Sequence, residues 1–227
     1  MHRQPWHSKK AKDKDQPTLR PSTLQQPGDC VSVDQMVSAQ PGLLPQEKGR
    51  LTRARIWGCT VFVDHATDYT CVILMHDFTA ESTLAAKHEF EQKCKVRGIR
   101  VKSYHADNGR FAEPAFVKDC EKQGQHFSFC RVGAHHKNGV VERRIKEITL
   151  GARTLLLHAI RFWPEYITTM LWPYAIKCTE DRLNNLTINQ QGNTPEMSFS
   201  GVHAILCKLG ITIHLAAHAM SSTQELK

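Results

Sequence analysis

Three acidic residues stand where their side chains could do chemistry together. Asp34 lies in the first predicted strand, Asp107 ends a later strand, and Glu142 lies in the first turns of a long helix. A carboxylate inside a sheet is unfavourable unless a cation compensates its charge. Three carboxylates that converge would bind hard divalent cations such as Mg²⁺ or Mn²⁺, which prefer oxygen ligands. A pair of such ions can activate an attacking oxygen and stabilise the leaving oxygen of a phosphodiester.

Each acid also has an ordinary structural explanation. The sequence Asp107-Asn108-Gly109 has the composition of a turn. Glu142 is a favourable charge near the N-terminus of a helix, and Asp34 fits the exposed end of a strand. The residues alone therefore leave open whether the three side chains form one site or three unrelated features.

The elements that would position these acids follow from hydrophobic periodicity and capping signals. The predicted strands cover residues 30–35, 59–65, 69–75, 99–105 and 126–132. The predicted helices cover residues 79–97, 114–123, 138–160 and 164–185. Thr79 and Asn138 are the predicted N-caps of the first and third helices, and Pro173 is expected to break or kink the last one. A short turn between the second and third strands predicts an antiparallel hairpin.

The order of these elements predicts the fold class. Three early strands are followed by strands that alternate with helices. Such an order is typical of an α/β protein with a mixed, roughly five-stranded sheet and helices on both faces.

Composition limits the classes of function. The chain has 227 residues and a net charge of +8, a basic balance that favours an anionic partner such as nucleic acid. No stretch of apolar residues is long enough to span a membrane, and the polar N-terminus is unlike a secretory signal. The eight cysteines include no C-x-x-C pair, so no zinc finger is expected. Several cysteines lie in apolar runs and are expected to be buried thiols of an intracellular protein.

Five stretches of the sequence carry a family resemblance. They are HADNGRF (105–111), AHHKNGVVERR (134–144), VFVDHATDY (61–69), WPYA (172–175) and NTPEMSFSG (193–201). Together they resemble the integrase catalytic core of copia-type LTR retrotransposons, in which Asp-Asn-Gly ends a strand and a later Asn-Gly-x-x-Glu-Arg opens a helix. Asp107 and Glu142 fill these two places here, and the resemblance covers about residues 28–201.

This resemblance implies a ribonuclease H-like fold and metal-dependent DNA integration, in which DNA 3′ ends are processed and then transferred. DNA is the implied partner, and a homo-oligomer is the implied acting form. Asp34, Asp107 and Glu142 are the implied catalytic residues and the ligands of Mg²⁺ or Mn²⁺. In the family the first metal-binding Asp belongs to the strand before the hairpin, which favours Asp34 and leaves Asp64 as the fallback. No zinc is expected, because the family's His-His-Cys-Cys module does not precede residue 28.

A basic surface is expected around Glu142. Residues 131–153 contain six Lys or Arg and two Glu, and such a surface would attract DNA phosphates. An ordinary solvated helix face is the alternative explanation of these charges. The residues expected to shape the site or to contact DNA are Asn108, Lys137, Asn138, Arg143, Arg144 and Lys146.

The expected organisation has a basic disordered linker (1–28), a catalytic core (29–201) and a divergent C-terminal tail (202–227). The chain is accordingly expected to be part of a retroelement polyprotein and to act on DNA in the nucleus. Two other functions stay open. One is an inactive remnant that only binds nucleic acid, and the other is a nuclease of the same fold, which would need a fourth acidic ligand.

Overall fold

The computed structural model describes residues 26–43, 53–107, 109–129 and 138–202. Its strands are β1 Val31–Gly42, β2 Ile56–Asp64, β3 Thr70–Met75, β4 Ser103–Ala106 and β5 His126–Phe129. Its helices are α1 Ala80–Val96, α2 Pro114–Lys122, α3 Gly139–Phe162, α4 Trp172–Leu186 and α5 Pro195–Ser200, with short 3₁₀ helices at Arg110–Ala112 and Thr169–Leu171. Within these ranges no helix is both long and apolar enough to cross a membrane.

The strands of the described ranges form one mixed sheet in the order β3-β2-β1-β4-β5. β1 pairs antiparallel with β2, and β2 pairs antiparallel with β3, so the predicted hairpin is confirmed. β4 runs parallel to β1, and β5 runs parallel to β4. β1 is therefore the central strand, and its direct neighbour on the parallel side is β4.

Alternation of side chains along β1 divides the interior into two cores. Val31 and Val33 belong to the core beneath α1 and α2, where the rings of Phe62 and Phe90 stack with their centroids 4.4 Å apart. Met36 points to the opposite face and packs against a second core. That core joins β2 to α3 and α4 through Val61, Val63, Ile148, Ala152 and Ile176. Helices thus cover both faces of the sheet, as predicted.

Several predicted boundaries differ from the observed ones. β1 continues to Gly42 instead of ending at residue 35, because its second half still pairs with β2. The strand expected from residue 99 begins only at Ser103. Pro173 does not kink a helix but lies in the first turn of α4, where a residue without an N–H removes no helical hydrogen bond. α5 was not predicted; Thr194 begins it by accepting a hydrogen bond from the Met197 N–H.

Side chains of α4 cover the free edge of β3. The Asn184 amide exchanges two hydrogen bonds with the backbone of Thr70, at 2.7 and 3.0 Å. Glu180 accepts a hydrogen bond from the Val72 N–H at 2.9 Å, and Lys177 donates one to the Val72 carbonyl at 3.1 Å. Lys177 and Glu180 also form an ion pair. The helix thereby satisfies backbone groups that would otherwise be open to another strand.

The cysteines of the described ranges are free thiols. Cys59, Cys71, Cys94 and Cys120 are buried, whereas Cys30 and Cys178 are partly exposed. Burial raises the pKa of the Cys59 thiol to about 12, so this thiol stays protonated at neutral pH. Most of the expected linker and tail, residues 1–25 and 203–227, lies outside the described residues. The expected domain limits therefore stay predictions.

Candidate active site

Parallel pairing of β1 and β4 places Asp34 beside Asp107. Val33 pairs with Ala106, and each acid is the next residue along its strand. Because Val33 faces the core beneath α1, the Asp34 side chain points to the face that α3 covers. Asp107 directly follows the last residue of β4 and is exposed. Two of the three predicted acids therefore lie next to each other in the register of β1 and β4.

Asn138 attaches the start of α3 to the central strand. Its side chain is 1% exposed, and its Nδ2 donates a hydrogen bond to the Val33 carbonyl oxygen at 3.2 Å. It occupies the predicted N-cap position, but its side chain caps no N–H of the helix. The Glu142 N–H donates to the Asn138 carbonyl at 3.1 Å, and Val141 beside it is fully buried. The first turn of α3, which carries Glu142, is thus held against the strand that carries Asp34.

The three carboxylates share one electrostatic environment. Burial, together with the negative charges of Asp107 and Glu142, raises the pKa of Asp34 to about 6. The Gln35 N–H donates to Asp34 Oδ1 at 2.7 Å, and this hydrogen bond lowers the pKa of Asp34. Like charges disfavour one another's ionisation, so a cation bound among them would be stabilised.

The donor set suits a hard divalent cation, because carboxylate oxygens are the ligands that Mg²⁺ prefers. In the part of the chain that the structure describes, however, no group of three or more His, Cys, Asp or Glu side chains is placed to hold a metal ion. Asp34, Asp107 and Glu142 are therefore near enough to interact electrostatically without forming a finished metal site. Coordination of one ion by all three would require their side chains to rearrange.

Asp64, the fallback ligand, is engaged in the turn between β2 and β3. Its side chain is buried and accepts hydrogen bonds from the Gly28 N–H at 2.8 Å, the Thr67 N–H at 2.9 Å and the Thr67 hydroxyl at 2.8 Å. Burial raises its pKa, and these hydrogen bonds oppose that shift. In the β1–β2 pairing Asp64 lies opposite Val31, and Asp34 lies opposite Val61. The two acids are therefore three residue positions apart along the strands. The contacts of Asp64 are those of an acid that stabilises a turn.

The residues expected to contact DNA have different surroundings. Arg143 has 82% of its side chain exposed and pairs with Glu147 at 3.0 Å, and Lys146 is exposed on the same helix. Arg144 is only 12% exposed, because it reaches Asp68 of the β2–β3 turn at 3.7 Å as well as Glu147 at 3.4 Å. The burial of Asn138 does not agree with a contact between its side chain and DNA. Asn108 and Lys137 lie outside the described residues.

Two residues next to the acids were not singled out from the sequence. Gln35 follows Asp34, and its side chain donates to the Thr83 hydroxyl of α1 at 3.0 Å. Arg110, three residues after Asp107, donates to Gln35 Oε1 at 3.4 Å and stacks on the Phe78 ring at 4.6 Å. A polar residue at a core-facing position of β1, where Val31 and Val33 are apolar, is the signal that could have identified Gln35.

Comparison with known proteins identifies the fold. The sequence matches no family model and no curated protein. The HTLV-2 integrase catalytic core domain, solved in complex with magnesium, matches with a TM-score of 0.54 and 20% identity over 77% of this chain and 97% of that one. The BIV integrase catalytic core domain matches with a TM-score of 0.53 and 15% identity over 77% and 95%. The fold is that of a retroviral integrase catalytic core.

The integrase-core fold confirms the predicted ribonuclease H-like architecture. A chain of the simian T-cell lymphotropic virus intasome, solved with a regulatory subunit of protein phosphatase PP2A, has the same fold with a TM-score of 0.57 and 14% identity over 80% of this chain and 57% of that one. At 14–20% sequence identity these matches establish the fold of this chain and not its activity.

Proposed function

We propose that this chain is the catalytic core of an LTR-retroelement integrase, which cuts and joins DNA phosphodiesters. The observation that supports this most is the common environment of Asp34, Asp107 and Glu142, whose charges act together on the Asp34 carboxyl. The acids come from two parallel strands and one helix, far apart in sequence. The integrase-core fold supports the same conclusion.

In this proposal Asp34, Asp107 and Glu142 hold Mg²⁺ or Mn²⁺, and one of the solved cores with this fold was obtained with magnesium. The bound ions would supply positive charge at the scissile phosphate and favour ionisation of the attacking hydroxyl. Water attacks in end processing, and a DNA 3′-hydroxyl attacks in strand transfer, so no nucleophilic side chain is required. The protein's own contribution is to orient the carboxylates, through the β1–β4 pairing and the Asn138 contact.

The partners in this proposal are retroelement ends, target DNA and further copies of the chain. Exposed Arg143 and Lys146 give α3 a surface that would attract phosphates beside Glu142. The HTLV-2 core was solved in dimeric and trimeric forms, which supports a homo-oligomer. The motifs at 172–175 and 193–201 support a copia-type element. The proposal also includes a catalytic core over 29–201 and action in the nucleus.

A cleavage assay tests the proposal. The full chain is incubated with labelled DNA or with an RNA–DNA hybrid, in Mn²⁺ or in EDTA. We expect cleavage and joining of DNA in Mn²⁺ only, and loss of both in Glu142→Gln and Asp34→Asn. Cleavage that persists in Glu142→Gln would contradict the assigned site, and a preference for the hybrid would instead identify a nuclease of the same fold.

A second candidate is an inactive remnant that only binds nucleic acid. The observation in its favour is that, among the described residues, the acids are not arranged as a finished metal site. In that case DNA binds equally well in Mn²⁺ and in EDTA, and no product forms in either condition. The same assay therefore separates the two functions.

A further inference from the structure

A second cationic surface lies at the other end of the hairpin from Asp64. The segment that enters β2 and the residue that follows β3 line an open depression of about 530 Å³. Its lining residues are Arg53, Ala54, Arg55, Trp57 and His76. None of these residues belongs to the expected basic surface of residues 131–153, so this is a separate feature, here called the Trp57 depression.

The sheet holds the Trp57 depression in place. Trp57 stands in β2 between Ile56 and Gly58, both of which are buried. Gly58 pairs with Met75 of β3, the residue before His76. The His76 ring contacts the Arg55 carbonyl oxygen at 2.9 Å and thereby connects the two sides of the depression. The indole is therefore presented by a paired strand and not by a free loop.

The chemistry of the depression combines an aromatic face with cations. The Trp57 side chain is 44% exposed although it is a large apolar group. Two arginines and a histidine adjoin it, and Asp77 is the acidic neighbour in sequence. Guanidinium groups pair with phosphates, and exposed aromatic rings stack on unpaired bases, whereas the bases of a duplex are already stacked on one another. The combination fits a single strand better than a duplex.

We propose that the Trp57 depression binds an unpaired nucleic-acid strand, with a base stacked on Trp57 and a backbone phosphate beside Arg53. Such a site requires neither the three carboxylates nor a metal ion. It would provide the chain with a contact to single-stranded nucleic acid at a distance from Glu142 along the sheet.

Binding of a fluorescent oligothymidylate to the full chain in EDTA, measured by anisotropy, tests the proposal. Trp57→Ala should weaken this binding about tenfold, the effect expected for loss of one stacked base, while Trp57→Phe should retain most of it. Arg53→Gln should lower the slope of log affinity against log salt by about 0.7, the contribution of one phosphate of a single strand. A blunt duplex of equal length should respond much less to Trp57→Ala.

Two matched controls accompany these variants. Trp163→Ala removes an indole of similar exposure, 53%, at the end of α3 and should leave oligothymidylate binding unchanged. The loss of affinity caused by Trp57→Ala should be the same in a Glu142→Gln background, which separates this proposal from the proposed catalysis. Equal affinity of Trp57→Ala and the parent chain would overturn the proposal. An equal loss for the duplex would overturn it as well, because it would indicate a surface that binds phosphates alone.

Discussion

The side-chain amide of Asn138 donates a hydrogen bond to the backbone carbonyl of Val33 across 105 residues of sequence. Val33 precedes Asp34 in β1, and Asn138 precedes the first turn of α3, which carries Glu142. This contact holds the first turn of α3 against the strand that carries Asp34. The other amide atom of Asn138, Oδ1, is buried and has no hydrogen-bond partner within the described residues.

Asn138→Ala should therefore impair catalysis as well as stability. Loss of a buried hydrogen bond is expected to lower the free energy of unfolding by about 1 kcal/mol. Release of the helix should reduce metal-dependent cleavage even at temperatures where the variant is fully folded. Urea unfolding and cleavage rates check both effects. Val140→Ala, an exposed substitution in the same turn, should change neither.

Asp34→Asn should stabilise the metal-free protein at neutral pH. The folded protein holds the Asp34 proton up to about pH 6, whereas the unfolded chain loses it near the ordinary value of 3.8. The folded state thus binds more protons between these values, and its stability falls as the pH rises from about 4 to about 6. An asparagine cannot ionise, so the variant should gain up to about 3 kcal/mol above that range, the free energy that corresponds to this pKa difference.

Thermal unfolding in EDTA at several pH values measures this effect. Asp77→Asn is the control with the opposite sign, because hydrogen bonds from Ser82 and Thr79 lower the pKa of the exposed Asp77 carboxyl. The ionised Asp77 carboxylate stabilises the folded state at neutral pH, and this stabilisation is lost as the pH falls. Asp77→Asn should therefore not stabilise the protein at neutral pH. A less stable Asp34→Asn at neutral pH would indicate that Asp34 has a structural role.

Asp64→Asn should affect stability more than catalysis. The Gly28 N–H, the Thr67 N–H and the Thr67 hydroxyl all donate to the Asp64 carboxylate. In the asparagine variant the side-chain NH₂ is itself a donor, so it would face one of these donors with no acceptor between them. We expect a loss of about 1–3 kcal/mol in urea unfolding. Cleavage per folded molecule should remain measurable, in contrast to Asp34→Asn. A stable Asp64→Asn without any cleavage would show that Asp64 is the ligand instead of Asp34.

DNA binding should weaken steeply with salt and depend little on sequence, because it rests on phosphate neutralisation. Replacement of Arg143 and Lys146 together by glutamine should lower the salt slope for duplex DNA by about 2. Arg144→Gln is the control on the same helix, since its guanidinium is largely buried against Asp68 and Glu147. We expect it to lower the melting temperature without changing the slope.

Asn184→Ala should expose the edge of the sheet. The variant leaves the N–H and the carbonyl of Thr70 without the amide that now binds both. We expect the free energy of unfolding to fall by about 2 kcal/mol, with a greater tendency to aggregate through β3. Asn185→Ala is the control: its half-buried amide donates to the Asp181 carbonyl of its own helix, so the change should affect both properties much less.

The sequence alone determined features whose causes are local. Helix α1 begins after Thr79, whose hydroxyl accepts a hydrogen bond from the Ser82 N–H, and ends before Gly98, which has a positive φ of 71°. The β2–β3 hairpin was likewise predicted from two apolar runs and a short turn. In each case the residues that interact are neighbours in the chain, so their types and spacing were sufficient.

Only the tertiary structure decided which acids lie together. Asp34 and Asp64 both belong to apolar strands, and their local sequences do not distinguish a ligand from a turn acid. The parallel pairing of Val33 with Ala106 brings Asp34 to Asp107, while the turn at Thr67 and the Gly28 N–H engage Asp64. The burial of Asn138 was hidden for the same reason. Such contacts join segments distant in sequence, so they follow from how strands and helices pack and not from the residues beside them.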